Sequence, residues 1–240
     1  MRHTYKKTLD ATNVALKRQK RTIVQNLSFS IPKGSLVALV GPNGGGKSTL
    51  LESLVSRASQ KLFYGFAEEK IAYLPQACHL DRSFPLLVRD VVGTGFWPQL
   101  GFWRPFMGRH KKSVLKALRA VGLENFALTP IHALSGGQFQ RVLFARLIVQ
   151  EGSVLLLDEP FTGVDEVSIE ALFKLIQAWN YEGKTLIVTL HDLKFAQRFF
   201  PHALLLARDY SLWGKTNEVL TPDHVAFAYA RAHQWEDCRC

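Results

Sequence analysis

Hydrophobic residues recur along this chain in two patterns. Short apolar runs bounded by glycine, proline or polar residues are typical of buried strands, and apolar residues spaced three to four apart are typical of helices. The predicted strands are TIVQNLSFSI (22–31), SLVALV (35–40), KIAYLPQ (70–76), SVLLLDE (153–159) and TLIVTL (185–190). The predicted helices follow GPNGGGKST (41–49) and lie at VRDVV (88–92), KKSVLKALRAVG (111–122), GGQFQRVLFARLIVQ (136–150), EVSIEALFKLIQAWNYEG (166–183) and DLKFAQRF (192–199).

The order of these elements predicts the fold class. Strands that alternate with helices indicate an α/β fold around a mainly parallel sheet. The pattern is mostly helical from about residue 77 to residue 150, with Gly122 and Gly152 as expected helix stops. We therefore predict a single domain over 1–240, with a core of 1–76 and 151–240 and an inserted helical subdomain at 77–150.

Composition restricts where the protein works. The chain has 240 residues, 47% of them hydrophobic, and its longest apolar runs are far too short to cross a bilayer. Any role at a membrane is therefore expected to need a partner chain. The polar, basic start predicts no secretory signal, and Cys78, Cys238 and Cys240 form no disulfide framework, which suits a reducing cytosol.

Positive charge is concentrated at the start of the chain. The formal net charge is +10, and residues 1–22 hold seven basic residues against Asp10. Such a cluster can meet nucleic acid or anionic lipid headgroups. A solvated basic surface that aids solubility explains it equally well.

The motif GPNGGGKST fits the pattern of a phosphate-binding loop between a strand and a helix. Its members are Gly41, Pro42, Asn43, Gly44, Gly45, Gly46, Lys47, Ser48 and Thr49. The glycines allow backbone N–H groups to surround phosphate oxygens. Lys47 is expected to reach the β- and γ-phosphates of a nucleotide, and the Ser48 hydroxyl to bind Mg²⁺.

Two acidic residues end the apolar strand VLLL. Asp158 stands at the carboxyl end of this strand, where ligands bind in open α/β sheets, and is suited to reach Mg²⁺. Glu159 is then the candidate general base for an attacking water. Alone, such a pair is also compatible with a solvated strand end.

A second candidate anion site lies at HALSGGQFQR (132–141). Ser135 can cap the following helix, and Gly136 and Gly137 leave backbone N–H groups uncovered at its positive end, before Gln138. One nucleotide does not need two such loops from one chain.

These motifs together resemble those of ABC transporter ATP-binding subunits. GPNGGGKST, YLPQ, LSGGQ, VLLLDEP, GVD and TLHD occur in the family's order over nearly the whole chain. The resemblance implies a P-loop NTPase of the ABC ATPase type, with a mainly parallel sheet core, an antiparallel β part and an inserted helical subdomain. It also implies ATP and Mg²⁺ as ligands and ATP hydrolysis as the activity.

The family also implies a head-to-tail dimer of two copies. Ser135, Gly136, Gly137 and Gln138 would then contact the ATP held by the partner copy. By the same resemblance, Gln76 senses Mg²⁺ and the attacking water, Asp165 lies at the dimer interface, and His191 contacts the γ-phosphate.

Within the family, the chain most resembles importers of manganese, zinc and iron. FPLLVRDVV (84–92), LGFWRP (100–105), VGLENFA (121–127), LDEPFTGVD (157–165) and EGKTLIVTLHDL (182–193) carry this similarity. It implies an integral membrane permease, a metal-binding extracytoplasmic protein as an indirect partner, and a place on the cytoplasmic side of the inner membrane. Importers of siderophores, haem or cobalamin share many of these features.

One position departs from the family pattern. An aromatic residue that stacks on adenine usually precedes the phosphate loop, and Arg18, or alternatively Lys17, stands there. A guanidinium can lie flat on an aromatic ring, so Arg18 is a candidate contact for the base.

The sequence argues against two other function classes. A soluble ABC ATPase of nucleic-acid repair or translation usually carries coiled-coil or zinc insertions or two ATPase units, none of which is visible here. No specific nucleic-acid partner is therefore expected. Glu159 and His191 argue against a scaffold that does not hydrolyse ATP.

Two further segments carry weaker hypotheses. The aromatics Phe96, Trp97, Phe102, Trp103 and Phe106 suit either the subdomain core or a patch that docks a permease. The tail AHQWEDCRC (232–240) contains several residues of types that bind metal ions, which raises the hypothesis of a metal site. Its two cysteines are spaced more closely than usual zinc-binding pairs, which favours a frayed polar end instead.

Overall fold

A computed structural model describes residues 8–18, 21–56, 59, 61–66, 69–76, 82, 84–97 and 109–237, with side chains described over 110–232 of the last segment. The elements are β1 Thr8–Arg18, β2 Arg21–Pro32, β3 Leu36–Val40, α1 Lys47–Val55, β4 Ile71–Leu74, α2 Val88–Gly93, α3 Arg109–Ala120, α4 Gly136–Gln150, β5 Val154–Leu157, α5 Glu166–Tyr181, β6 Thr185–Thr189, α6 Leu193–Phe199, β7 His202–Ala207, β8 Tyr210–Lys215, α7 Thr216–Val219 and α8 Pro222–Asp237. No helix in the part of the chain that is described has the length and apolar character of a membrane span.

The chain forms two compact units. One comprises 1–71, 153–158 and 180–240, and the other comprises 72–152 and 159–179. The predicted insertion at 77–150 falls within the second unit, and the predicted subdomain boundaries stay a prediction.

Five strands of the main sheet lie wholly in the first unit, in the order β5-β6-β3-β7-β8. The first four are parallel, and β8 pairs antiparallel with β7. Every residue of β3, β5 and β6 is buried. A strand that is covered on both faces is mostly apolar along its length, and this pattern is why these three strands could be predicted from the sequence.

The first unit also contains an antiparallel pair, β1 and β2, with register shifts between Ala11 and Lys17. Phe29 on β2 stacks on Phe63 at 6.3 Å and meets Phe66 edge-on, and these three rings anchor the pair. The predicted α/β fold with an added antiparallel part is confirmed.

In the second unit, α2 and α3 both pack on α4. Phe144 of α4 stacks on Trp179 of α5 at 5.8 Å. Helix α4 spans the predicted range of 136–150, and the residue that takes the left-handed conformation at its C-cap is Glu151, with φ 51°, rather than the expected stop Gly152.

The predicted elements occur to within about two residues at each end. Strands β1, β7 and β8 and the last two helices were not predicted. Strand β1 carries the irregular register noted above, which breaks a strict alternation of apolar and polar residues.

Candidate functional site

The phosphate loop runs from the end of β3 to the start of α1. Strand β3 lies between β6 and β7, and all three are parallel, so the loop lies at the carboxyl edge of the sheet. Its buried residues are Gly41, Pro42, Gly45, Gly46, Lys47 and Thr49, whereas Asn43 and Gly44 are exposed and Ser48 is half-buried. The loop therefore presents its tip to ligands.

Two glycines are required by the shape of this loop. Gly41 has φ 153°, and a Cβ there would lie 2.0 Å from the Leu206 carbonyl oxygen. Gly46 has φ 104°, and a Cβ there would lie 2.3 Å from a methyl group of Val24. Both positions combine a disfavoured backbone conformation with a steric clash, so larger residues would displace the loop.

Lys47 begins α1 and is only 7% exposed. Its Nζ donates to the carbonyl oxygens of Gly41 at 2.8 Å and of Pro42 at 3.0 Å. The ammonium is thus held against the loop at the positive end of the helix. Both features favour phosphate at this position.

Asp158 follows β5 and is 2% exposed. Its Oδ1 accepts a hydrogen bond of 2.8 Å from the hydroxyl of Thr189, at the end of the neighbouring strand β6. This bond orients a buried carboxylate at the same sheet edge as the phosphate loop. Thr189 was missed by the sequence analysis, because nothing in its pattern separates it from other strand threonines.

The donor set near this edge fits Mg²⁺. The described residues contain no group of three or more His, Cys, Asp or Glu that could hold a metal ion. Mg²⁺ usually needs only one or two carboxylates and completes its shell with hydroxyl, water and phosphate oxygens. The Asp158 carboxylate and the Ser48 hydroxyl are donors of that kind.

Glu159 opens the second segment of the other unit, where it meets Gln76. The Gln76 side-chain amide donates to Glu159 Oε2 at 2.7 Å, and the Thr162 hydroxyl donates to the same oxygen at 3.2 Å. Glu159 is half-buried and has φ 48°. Left-handed backbone is unfavourable for glutamate and is found at functional sites more often than elsewhere.

His191 comes two residues after β6 ends and is exposed. The next residue, Asp192, caps α6 by accepting a 3.0 Å hydrogen bond from the Phe195 N–H. This cap fixes where the helix begins and so fixes the short loop that carries His191.

The LSGGQ loop forms a reciprocal cap on α4. Ser135 Oγ accepts from the Gln138 N–H at 3.2 Å, and Gln138 Oε1 accepts from the Ser135 N–H at 3.0 Å. The predicted cap at Ser135 is therefore confirmed. Ser135 and Gly136 are exposed, which leaves the positive end of the helix open to a ligand.

Asp165 lies beside this loop within the same unit. A Cβ on Gly137 would lie 3.0 Å from Asp165 Oδ2, so Gly137 permits the close approach. Asp165 accepts from the Ser168 N–H at 2.9 Å. Hydrogen bonds from the Ser168 backbone and hydroxyl, with a smaller contribution from Arg141, hold the pKa of Asp165 below its usual value.

Arg18 ends β1, and its side chain is 65% exposed. Its Nη2 lies 3.8 Å from Glu52 Oε1, on the helix that follows the phosphate loop. This places the guanidinium next to α1, free to meet solvent or a ligand on most of its surface.

Of the aromatic loop, the structure describes Phe96, which is buried, and Trp97, which is 47% exposed. Phe102, Trp103, Phe106 and Cys78 lie outside the described residues, as do Cys238, Cys240 and the side chains of 233–240. The docking and tail-metal hypotheses therefore stay predictions.

Comparison with known proteins agrees with this arrangement. The family model described as ABC transporter matches residues 24–162. A "Probable metal transport system ATP-binding protein" of Chlamydia trachomatis is 37% identical over 215 residues, covering 86% of this chain and 83% of the relative. The manganese transport system ATP-binding protein MntB of Listeria monocytogenes is 33% identical and covers 93% of this chain and 97% of its own length.

Solved structures of ABC transporter proteins are also similar to this chain. An ABC transporter described as of the metal-chelate type, in an inward-facing conformation, has a TM-score of 0.79 at 26% identity, covering 91% of this chain and 87% of the other. A dimeric bacterial ABC transporter cassette has a TM-score of 0.69 at 26% identity and covers 87% of this chain and 98% of its own. From the family match, the relatives and the loop geometry together, this chain belongs to the ABC transporter family of ATP-binding proteins.

Proposed function

We propose that this chain is the ATP-hydrolysing subunit of an importer that takes up a divalent metal ion, manganese or zinc, through a separate membrane permease. The observation that carries the proposal is the combination of the six ABC ATPase motifs named above with relatives named for manganese transport at 33% identity over 90% or more of the chain. As a peripheral subunit, it would lie on the cytoplasmic side of the inner membrane.

Nucleotide binding is assigned to the phosphate loop. The backbone N–H groups of Gly44, Gly45 and Gly46 and the Lys47 ammonium would bind the β- and γ-phosphates. Ser48, Gln76 and Asp158 would hold Mg²⁺, which neutralises charge on the phosphate oxygens. The carbonyls that now hold Lys47 are neutral, so phosphate oxygens would compete for the ammonium favourably.

Hydrolysis is assigned to Glu159, with His191 on the γ-phosphate. Glu159 would accept a proton from the attacking water while a P–O bond forms at the γ-phosphorus and the bond to the bridging oxygen of ADP breaks. Gln76, hydrogen-bonded to Glu159, would orient that carboxylate and report whether Mg²⁺ and water are in place.

The second anion site, at the start of α4, is assigned to the ATP that the partner copy holds. Ser135, Gly136, Gly137 and Gln138 would bind the γ-phosphate held by the other subunit, and Asp165 would lie at the interface. Binding of ATP would close the dimer, and loss of the γ-phosphate would open it and drive the permease.

The transported ion is tested by uptake in cells that lack this chain. We expect deletion to reduce accumulation of radioactive manganese to background, and the wild-type chain, but not Lys47→Ala, to restore it. The same assay with radioactive zinc, each metal competed by the other, separates the two ions. The extracytoplasmic metal-binding protein of such a system would be required in the same assay.

A metal chelate is the second candidate cargo, favoured by the structural neighbour of the metal-chelate type. Normal uptake of both free ions, with lost uptake of a siderophore, haem or cobalamin, would replace the first assignment by this one. Salt-sensitive binding of RNA or DNA by the purified chain would point instead to a nucleic-acid role.

The assignment of adenine stacking to Arg18 gives a smaller, separate prediction. Arg18→Ala should weaken ATP binding by about 1 kcal/mol, the usual scale of such a contact. Its ion pair with Glu52 is mostly exposed, so the fold should not depend on it. Arg21→Ala is the matched control, because Arg21 pairs with Arg18 across the hairpin and is also exposed. Equal ATP affinity of the wild type and Arg18→Ala by calorimetric titration would remove Arg18 from the site.

A further inference from the structure

The turn between β7 and β8 lies against the phosphate loop. Strand β7 neighbours β3, and its last pairing with β8 joins Ala207 to Tyr210, so Arg208 and Asp209 form the turn. The Leu206 carbonyl oxygen lies where a Cβ on Gly41 would meet it at 2.0 Å. The end of β7 therefore forms one wall of the loop.

The backbone of Arg208 links this turn to the loop directly. Its N–H donates to the Gly45 carbonyl oxygen at 3.0 Å, and its own carbonyl oxygen accepts from the Gln25 N–H at 2.8 Å. Gly45 is thus fixed to β7, and β7 to β2, through a single residue.

The side chain of Arg208 points to the same place. Its Nη2 lies 3.6 Å from the position that a Cβ on Gly44 would take, and the residue is only 7% exposed. Burying a guanidinium is costly unless the surroundings stabilise its charge. A phosphate group bound by the neighbouring N–H groups would contribute to that stabilisation.

The backbone conformation of Arg208 supports a functional reason for its presence. Its φ is 56°. Two-residue hairpin turns with positive φ favour glycine, asparagine or aspartate, because a larger side chain is strained there. A residue that departs from local preference beside a ligand loop is a candidate for a role in that site.

We propose that Arg208 is a positioning residue of the phosphate loop. Its backbone fixes Gly45, and its guanidinium keeps a positive charge beside Gly44. The charge strengthens binding in proportion to the negative charge of the nucleotide, so it favours ATP over ADP. This inference rests on the proposed function of the loop as the ATP site.

The test compares two nucleotides on charge-removing and charge-keeping variants of the full chain. Arg208→Gln and Arg208→Asn should lower affinity for ATP about tenfold and for ADP about threefold, in calorimetric titrations at fixed Mg²⁺. Arg208→Lys should stay within about twofold of the wild type for both nucleotides, because it keeps the charge. Asparagine tolerates positive φ, so Arg208→Asn decides the matter if Arg208→Gln does not fold.

Arg231→Gln is the matched control. Arg231 binds Asp209, the other turn residue, at 2.9 Å, so this variant removes a guanidinium at the same hairpin. It should leave both affinities unchanged. Equal losses of ATP and ADP affinity in the neutral Arg208 variants, or no loss, would overturn the proposal.

The two proposals fail in different ways. If Lys47→Ala binds ATP as well as the wild type does, the loop is not the ATP site and the proposed function fails. If Lys47→Ala loses ATP binding while the neutral Arg208 variants keep the wild-type affinities, only the role of Arg208 is lost.

Discussion

Glu159→Gln is expected to keep ATP binding intact and to lower the rate of ATP hydrolysis by about 100- to 10,000-fold, the range of general base catalysis. The substitution keeps the size of the side chain and an oxygen that can accept from Gln76, which now donates to Glu159 at 2.7 Å. It removes the charge that would take the proton from water. Steady-state phosphate release and ATP titration measure the two effects separately.

A second readout of this variant is the state of the dimer. Because hydrolysis would open the dimer, Glu159→Gln should accumulate as an ATP-bound dimer in size-exclusion chromatography with ATP, whereas the wild type should return to monomer. Glu166→Gln is the matched control, since Glu166 is an exposed acid in the first turn of α5. Near-normal hydrolysis by Glu159→Gln would exclude Glu159 as the base.

The backbone of Glu159 bears on how that experiment is interpreted. Its φ is 48°, a backbone conformation that glutamine adopts no more easily than glutamate does, so the substitution does not relieve backbone strain. The Thr162 hydroxyl donates to Glu159 Oε2, the same carboxylate oxygen that accepts from Gln76. A large rate loss with unchanged thermal stability would therefore come from the chemistry of the carboxylate.

The sequence predicts best those elements whose burial is uniform. Strands β3, β5 and β6 are wholly buried, so each contains three or more consecutive apolar residues. Strand β1 was missed because polar and apolar residues alternate irregularly along it, at a place where the register shifts. Its pairing with β2 depends on tertiary contacts that local periodicity does not encode.

The candidate site residues also differ in how far the sequence alone reveals their contacts. Ser135 and Gln138 are three residues apart, so their reciprocal cap is a local pattern that the sequence reveals. The bond between Gln76 and Glu159 joins residues 83 positions apart, and only the fold brings them together. Arg208 carries no motif at all; its relevance comes from its burial beside Gly44.

The proposed head-to-tail dimer predicts how mixtures of inactive chains behave. Lys47→Ala removes the ammonium of the phosphate loop, and Ser135→Arg blocks the exposed end of α4 that would serve the partner's ATP. Each variant alone should hydrolyse almost no ATP. In a mixed dimer one site combines the intact phosphate loop of the Ser135→Arg chain with the intact LSGGQ loop of the Lys47→Ala chain.

An equal mixture of these two variants should recover up to about a quarter of wild-type hydrolysis, because half of random dimers are mixed and each holds one intact site.

The matched control mixes Lys47→Ala with Glu159→Gln. Those lesions belong to the same side of the site, so every site in that mixture keeps one of them and no activity should return. Differently tagged chains, purified in tandem, confirm that the mixed dimer forms. Equal recovery in both mixtures, or none in a purified Lys47→Ala/Ser135→Arg dimer under single-turnover conditions, would contradict a site shared between the phosphate loop of one chain and the LSGGQ loop of the other.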